Sequence, residues 1–293
     1  MGKARDSWGF AEGTSITTEL TAMKLLGGGE AYEAYLAFDD ITYAPVVVKM
    51  LRPGHVHDES SLRGLRREVD TLARVNHPVV VRGLRSVVDG ERPHVVLEQL
   101  DGPRLSSLVR RYGPLPEQQY LPLAIEIASA LHYLRRLGYV HLDIKPSNII
   151  MGAPARLIDL SVARTLDAAQ ALTYPIGTDP YMAPEQCEPP VTGTPGFASD
   201  VWGLGATLFE AIAGYKAFDD GVRDAAELAA RFPQVDALPY SLPDHVPDDV
   251  GKVVLACLDP DSRNRPLPHE LAEALEPALE RAPRGRLAGF KMR

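Results

Sequence analysis

Three oxygen-bearing side chains fall close together in the middle of the chain. Asp143 and Asn148 belong to His141-Leu142-Asp143-Ile144-Lys145-Pro146-Ser147-Asn148, and Asp159 belongs to Arg156-Leu157-Ile158-Asp159-Leu160-Ser161. Carboxylates with a carboxamide suit Mg²⁺, which takes one or two protein carboxylates and is completed by substrate phosphates. One aspartate is then left to orient an attacking hydroxyl and accept its proton. A second group lies far upstream. Gly27, Gly28 and Gly29 form a run whose backbone N–H groups can approach phosphate oxygens with no Cβ in the way. The same run also reads as a plain turn. Downstream, Lys49 ends Val46-Val47-Val48-Lys49. Strand alternation puts Val47 and Lys49 on one face, so the ammonium emerges beside buried surface and must find an anion or a route to water. Glu68 answers it. Leu65, Glu68 and Leu72 share one helical stripe, and a buried carboxylate without a cation is costly. In the competing reading, Lys49 and Glu68 are surface residues with unrelated partners.

These side chains need a scaffold, and the chain changes character along its length. The runs 44–50 and 94–98 are β-branched and apolar, as buried strands are. Between them Leu62, Leu65, Val69 and Leu72 recur at helical spacing, with Asp58 or Ser60 as N-cap. After residue 104 helices dominate, among them 121–137, 201–213 and 269–279. The run 156–161 reads as a short strand ending in a carboxylate. A β-rich part followed by a larger α-rich part predicts an α+β, bilobal architecture. Gly102-Pro103 punctuates the junction, which places a hinge at 98–103. The divisions are an N-terminal extension at 1–19, an N-lobe at 20–100, a C-lobe at 101–280 and a basic tail at 281–293. No internal repeat is present.

Taken together, Val46-Val47-Val48-Lys49, Glu68, His141-Leu142-Asp143 through Asn148, and Asp159 resemble the signature set of eukaryotic-like protein kinases, in the style of bacterial Ser/Thr kinases. Gly177-Thr178-Asp179-Pro180-Tyr181-Met182-Ala183-Pro184-Glu185 resembles the end of a kinase activation segment. Ser199-Asp200-Val201-Trp202-Gly203-Leu204-Gly205 resembles the central helix of the large lobe, and Arg265-Pro266 the late arginine that pairs with the carboxylate of Ala-Pro-Glu. The ordered motifs cover residues 20 to 280. The resemblance implies a kinase fold with ATP and Mg²⁺ as cofactors and protein Ser/Thr hydroxyls as substrate. It implies that Lys49, partnered by Glu68, holds the phosphates under Gly27, Gly28 and Gly29. By the same resemblance Asp143 would orient the hydroxyl, Lys145 would steady the transferring phosphoryl, and Asn148 with Asp159 would bind the metal. The resemblance also puts Ala34 above the adenine with Val47 across from it, Leu97 at the gatekeeper position, and the backbone of Glu98 to Leu100 where it would meet the base. Lys145 and Thr178 are choices typical of Ser/Thr kinases.

Several positions depart from that pattern. Tyr32 stands for the third glycine of the loop, with ATP binding expected to survive. Ala34 and Val47 exchange the usual sizes above the adenine, which conserves volume. Leu142 replaces the arginine that grips a phosphorylated activation segment, so that route of activation is expected to be absent. Thr165, Thr173 and Tyr174 remain candidate phosphosites. Leu160-Ser161 replaces Phe-Gly; the leucine can still pack inward, and the serine restricts the backbone. These changes keep open a second reading, a nucleotide-binding pseudokinase acting as a scaffold or allosteric partner. A third, a small-molecule kinase of the antibiotic-phosphotransferase type, is opposed by Ala183-Pro184-Glu185, Asp200-Val201-Trp202 and Lys145.

Composition bounds the rest. The 293 residues are 45% apolar with a net charge of −8, which excludes disorder as the dominant state and argues against binding nucleic acid through the overall field. Cys187 and Cys257 read as reduced thiols of a cytoplasmic protein. The first residues have no apolar leader region, and Asp6 spoils the myristoylation pattern that Gly2 begins. No apolar run reaches the ~18 residues of a membrane span. Arg281, Arg284, Arg286, Lys291 and Arg293 read as a solvated basic end. The chain is expected to be either a complete soluble kinase or part of a longer one. Its partners are expected to be protein substrates and possible regulatory proteins. His55 and His57 lack further ligands nearby and are not read as a metal site.

Overall fold

The computed structural model describes residues 6–189 and 191–282. The Gly2 pattern and Arg284, Arg286, Lys291 and Arg293 of the basic tail lie outside the described residues, whereas Arg281, read with that tail, closes the last helix and donates to the Asp249 carboxylate. The chain divides into two compact units. The first runs to Asp101 and takes back Ile158–Ala163; the second holds Gly102–Leu157 and the chain from Arg164 onward. The second part read from sequence as continuous therefore gives up six residues, and those six carry Asp159.

The first unit is an antiparallel sheet in the order β1-β2-β3-β5-β4 with one helix. Its strands are β1 (Leu20–Gly28), β2 (Tyr32–Asp39), β3 (Ala44–Leu51), β4 (Gly83–Val87) and β5 (His94–Glu98), and its helix is α1 (Glu59–Leu72). Strict alternation decides the two faces of the sheet. Tyr35, Ala37, Val46, Val48, Met50 and Val96 turn to one side and form a core with Ile16, Leu20 and Ala22. The other face follows from register. Ala34 pairs with Lys49, and Val47 pairs with both Leu36 and Leu97. Ala34, Val47, Lys49 and Leu97 therefore share the face opposite that core. Helix α1 is capped by Asp58, whose carboxylate accepts the Ser61 N–H at 2.7 Å; Ser60 is not the cap residue. Leu65, Glu68 and Leu72 are buried along it.

In the second unit, α2 (Leu105–Tyr112) and α3 (Glu117–Arg136) are followed by the two-residue strands β6 (Tyr139–Val140), β7 (Ile149–Ile150), β8 (Arg156–Leu157) and β9 (Arg164–Thr165). Then come α4 (Leu166–Gln170), α5 (Pro184–Cys187), α6 (Phe197–Ala213), α7 (Leu228–Arg231), α8 (Asp248–Cys257) and α9 (Pro268–Arg281). Helix α3 starts one turn before the 121–137 read from sequence. Pro122 removes only one N–H, whose partner would be Gln118 on the exposed first turn. Helix α6 also starts a turn early and is buried almost all round, ending at Gly214 in the left-handed conformation. The strand expected at 156–161 stops at Leu157. Asp159 leaves it at φ +68, in the left-handed region that aspartate tolerates better than most side chains.

Candidate active site

The first unit gathers one cluster of charge. Lys49 Nζ donates to both oxygens of Glu68 at 2.8 Å and to Asp159 Oδ1 at 2.7 Å. Glu68 is only 1% exposed, whereas Asp159 keeps 36% of its side-chain surface in solvent. Burial disfavours the Lys49 ammonium, but the two carboxylates outweigh it and raise its pKa. Burial likewise opposes the charge on Asp159. Lys49 and the Ser161 donors win, and hold that carboxyl well below the usual range. For Glu68 burial prevails and the carboxyl is raised.

In the same unit Gly27 and Gly28 are the last residues of β1, and Gly29 follows it. A Cβ at Gly28 would sit 2.2 Å from the Tyr32 carbonyl oxygen, so the tight crossing from β1 to β2 demands glycine there. Tyr32 folds inward: its hydroxyl donates to the Ser61 carbonyl on α1 at 3.0 Å, and Lys49 Nζ stands 5.0 Å from its ring centroid. Burial pushes the phenol up to about 12. Leu160 is fully buried, as its apolar character suggested, and the Ser161 N–H donates to Asp159 Oδ1 at 3.3 Å. Glu98 ends β5 with its backbone paired to Val46, and its Oε1 accepts the Arg82 N–H at 2.8 Å. Leu100 follows just beyond the strand in the same unit.

The second unit gathers the other cluster. Asp143 Oδ1 accepts the Thr178 hydroxyl at 2.7 Å, and Asp143 Oδ2 accepts Lys145 Nζ at 2.7 Å. Lys145 also donates to Thr178 Oγ1 at 2.5 Å. Asn148 Nδ2 donates to the Asp143 carbonyl at 2.9 Å and to Oδ2 at 3.0 Å. With its amide nitrogen spent on Asp143, Asn148 keeps its carboxamide oxygen as the atom it can offer to a cation.

This cluster stands on a strained backbone that other residues hold in place. Leu142, buried, has φ +66, a conformation costing ~1–3 kcal/mol for such a side chain. Asp200, from the first turn of α6, accepts the His141 and Leu142 N–H groups at 2.7 Å each. Burial pushes the Asp200 carboxyl up to about 7, against these two donors. Gln186 Nε2 donates to the Leu142 carbonyl at 2.9 Å and to the Ile176 carbonyl at 2.8 Å. Gly177 passes so close that a Cβ would lie 2.8 Å from the Leu142 oxygen. The segment before Ala183-Pro184-Glu185 is thus tied to the backbone of residue 142, where the sequence offers no arginine. Farther along, Arg265 meets Glu185 at 2.6 and 2.9 Å, as the motif spacing anticipated.

The structure thus places Lys49, Glu68 and Asp159 together in one unit and Asp143, Lys145 and Asn148 together in the other. Gly27, Gly28, Gly29, Ala34, Val47, Leu97, Glu98 and Leu100 belong to the first. Sequence reasoning gave no role to Asp200, Gln186 or the inward turn of Tyr32. Asp200 left a signal, a carboxylate in the first turn of a largely apolar helix; Gln186 left none. Each unit by itself holds groups of the kind that magnesium and phosphate take: the first offers the partly exposed carboxylate of Asp159 and the Lys49 ammonium, and the second offers the carboxamide oxygen of Asn148.

The protein kinase domain family profile matches residues 20–275. The Ser/Thr-protein kinase PknB of Mycobacterium leprae (strain TN) is 31% identical over 252 residues, covering 82% of this chain and 40% of the relative. PknB of Mycobacterium tuberculosis (strain ATCC 25618 / H37Rv) is 30% identical over 253 residues, covering 83% and 40%. PknK of the same strain is 32% identical over 237 residues, covering 79% of this chain and 19% of that protein. The chain therefore spans well under half the length of the relatives it matches. Ordered signature residues, a five-stranded sheet with one helix, a helical second unit and these likenesses agree: the chain belongs to the protein kinase family, of the bacterial Ser/Thr type.

Proposed function

We propose that this chain transfers the γ-phosphoryl group of ATP, with Mg²⁺, to Ser or Thr hydroxyls of protein substrates. The observation that carries the proposal is the pair of bonds at Asp143. One carboxylate oxygen already accepts a hydroxyl, that of Thr178, at 2.7 Å, while the other is held by Lys145. A carboxylate so oriented can accept the proton of an attacking alcohol. Lys145, beside it, offsets negative charge that gathers as the phosphoryl moves. Lys49 would hold phosphate oxygens from its seat on Glu68, and Asp159 and Asn148 would hold the metal through their oxygens. Mg·ATP, when bound, supplies the phosphoryl group and the charge of the cation.

The five residues whose loss most often marks a pseudokinase, namely Lys49, Glu68, Asp143, Asn148 and Asp159, are all present. Their bonds favour catalysis over the scaffold reading. A cytoplasmic location is part of the proposal: ATP is the substrate, and Cys187 and Cys257 are free, buried thiols. Among the described residues no helix is long and apolar enough to cross a membrane. Label transfer from γ-labelled ATP to the chain itself or to a generic protein substrate tests the activity. Asp143→Asn should abolish transfer and leave nucleotide binding nearly intact. Transfer that persists in this variant, or is missing from the wild type, overturns the proposal.

A further inference from the structure

The family match begins at residue 20, yet the chain before it is built into the first unit. Ile16 is fully buried in the core of the sheet, with Trp8 and Phe10 packed against that core. Backbone bonds secure the segment: Gly13 N–H donates to Ala22 O, Ala22 N–H to Thr14 O, and Ile16 N–H to Leu20 O, all within 2.8 Å. The Trp8 indole N–H donates to the Leu51 carbonyl at 2.8 Å. Trp8 and Phe10 each face the Arg92 guanidinium, at 5.3 and 5.1 Å, and Phe10 meets Tyr35 edge-on at 5.4 Å.

A polar relay leads from this segment to the glycine run. Glu33, a carboxylate at a core position of β2, has no exposed surface. Its Oε2 accepts the Ser7 hydroxyl at 2.7 Å and Arg52 Nη1 at 3.0 Å. Its Oε1 accepts the Trp8 N–H at 2.9 Å and the Tyr35 hydroxyl at 3.2 Å. Arg52, also buried, reaches both ways. Nη1 donates to the Asp6 carbonyl at 2.8 Å, Nε donates to the Gly29 carbonyl at 3.1 Å, and its backbone N–H donates to the Ala31 carbonyl at 2.9 Å. The planar guanidinium is a rigid fork, so fixing one edge fixes the other. Residues 28–30 are themselves exposed, and the donors of residue 52 grip the carbonyls of Gly29 and Ala31.

We propose that residues 6–16 are a strap that positions the glycine-rich loop for phosphate through Glu33 and Arg52. The strap orders the loop before the ligand arrives, so less conformational entropy is lost on binding. Glu33 and Arg52 are positioning residues, and the inference rests on the ATP reading only for its ligand.

The test uses the full chain with two variants. Arg52→Lys keeps the charge opposite Glu33 but lacks the fork, and Trp8→Ala loosens the strap from outside the kinase domain. The first readout, amide hydrogen exchange at residues 27–31, needs no nucleotide. The second is the dissociation constant for Mg·ATP, with KM for ATP and kcat. Both variants should exchange faster at 27–31 while β3 and β5 keep their protection. Both should bind Mg·ATP about five- to tenfold more weakly, through KM, with kcat nearly unchanged. Unchanged loop exchange and affinity overturn the strap and leave the kinase reading standing. So does faster exchange spread evenly over the sheet, because it shows a merely structural role. If the wild type binds no Mg·ATP but loop exchange still responds to both variants, the ATP reading falls and the strap stands.

Discussion

Replacing Lys49 with methionine separates what this residue does for the fold from what it does for the reaction. Its ammonium makes three bonds of 2.7–2.8 Å, two to Glu68 and one to Asp159. The two carboxylates differ in what they can do once the cation is gone. Asp159, about a third exposed, can be solvated and costs little. Glu68, 1% exposed among Leu65 and Leu72, cannot. Removing one partner of a buried pair costs about 3–5 kcal/mol because the other charge is left without a partner. That is a large part of a typical stability of ~5–15 kcal/mol. Lys49→Met should therefore fold but unfold at distinctly lower urea. Adding Glu68→Gln removes the orphaned charge at nearly constant shape and should return about 2 kcal/mol. Neither chain should transfer phosphoryl. Urea unfolding followed by circular dichroism on the wild type, the single variant and the double variant, with label transfer in parallel, measures both effects. A single variant within about 1 kcal/mol of the wild type, or a double variant less stable than the single one, refutes the reasoning.

Three other outcomes follow from the same geometry. Arg265, fully buried, meets Glu185 through two bonds and also donates to three backbone carbonyls; Arg265→Met should cost about 3–5 kcal/mol in urea unfolding and lower transfer. Arg85 grips both oxygens of buried Asp39 and, with Thr42, holds its carboxyl well below the usual range. A depressed folded-state value stabilises above the unfolded carboxylate value of about 3.9 and is lost as pH falls below it. Asp39→Asn should therefore flatten the fall in stability on acidification, read from unfolding curves between about pH 5 and pH 2. Because Gln186, not an arginine, ties the segment to residue 142, changing Thr165 and Thr173 to Ala and Tyr174 to Phe together should leave transfer within about threefold of wild type. A several-hundredfold loss in that chain would show that phosphorylation sets the segment after all.

Legibility followed the range of the forces involved. The pairing of Lys49 with Glu68 could be read because each residue violated a local pattern, a lysine ending a valine strand and a glutamate inside an apolar helical stripe, and one contact resolves both. The cap of α1 was narrowed to Asp58 or Ser60, and the shared face of Val47 and Lys49 and the link from Arg265 to Glu185 were legible for similar reasons of spacing and motif. The strand assigned to 156–161 was too long because apolar runs do not reveal where a backbone turns left-handed. Asp159 holds φ +68 while bonded to Lys49, far away in sequence.

Residue types and periods alone determined the α+β class, the two-part division and the identity of the chemically able side chains. Those follow from solvation and pitch, which act between near neighbours in the chain. Tertiary structure decided which atoms meet. It returned Ile158–Ala163 to the first unit and turned Tyr32 inward onto Lys49. It also set Gln186 against the carbonyl of Leu142 and ran Ser7, Trp8 and Asp6 to Glu33 and Arg52. Hydrogen bonds select partners by direction within about 3 Å, and no periodicity along the chain encodes which distant carbonyl will lie there.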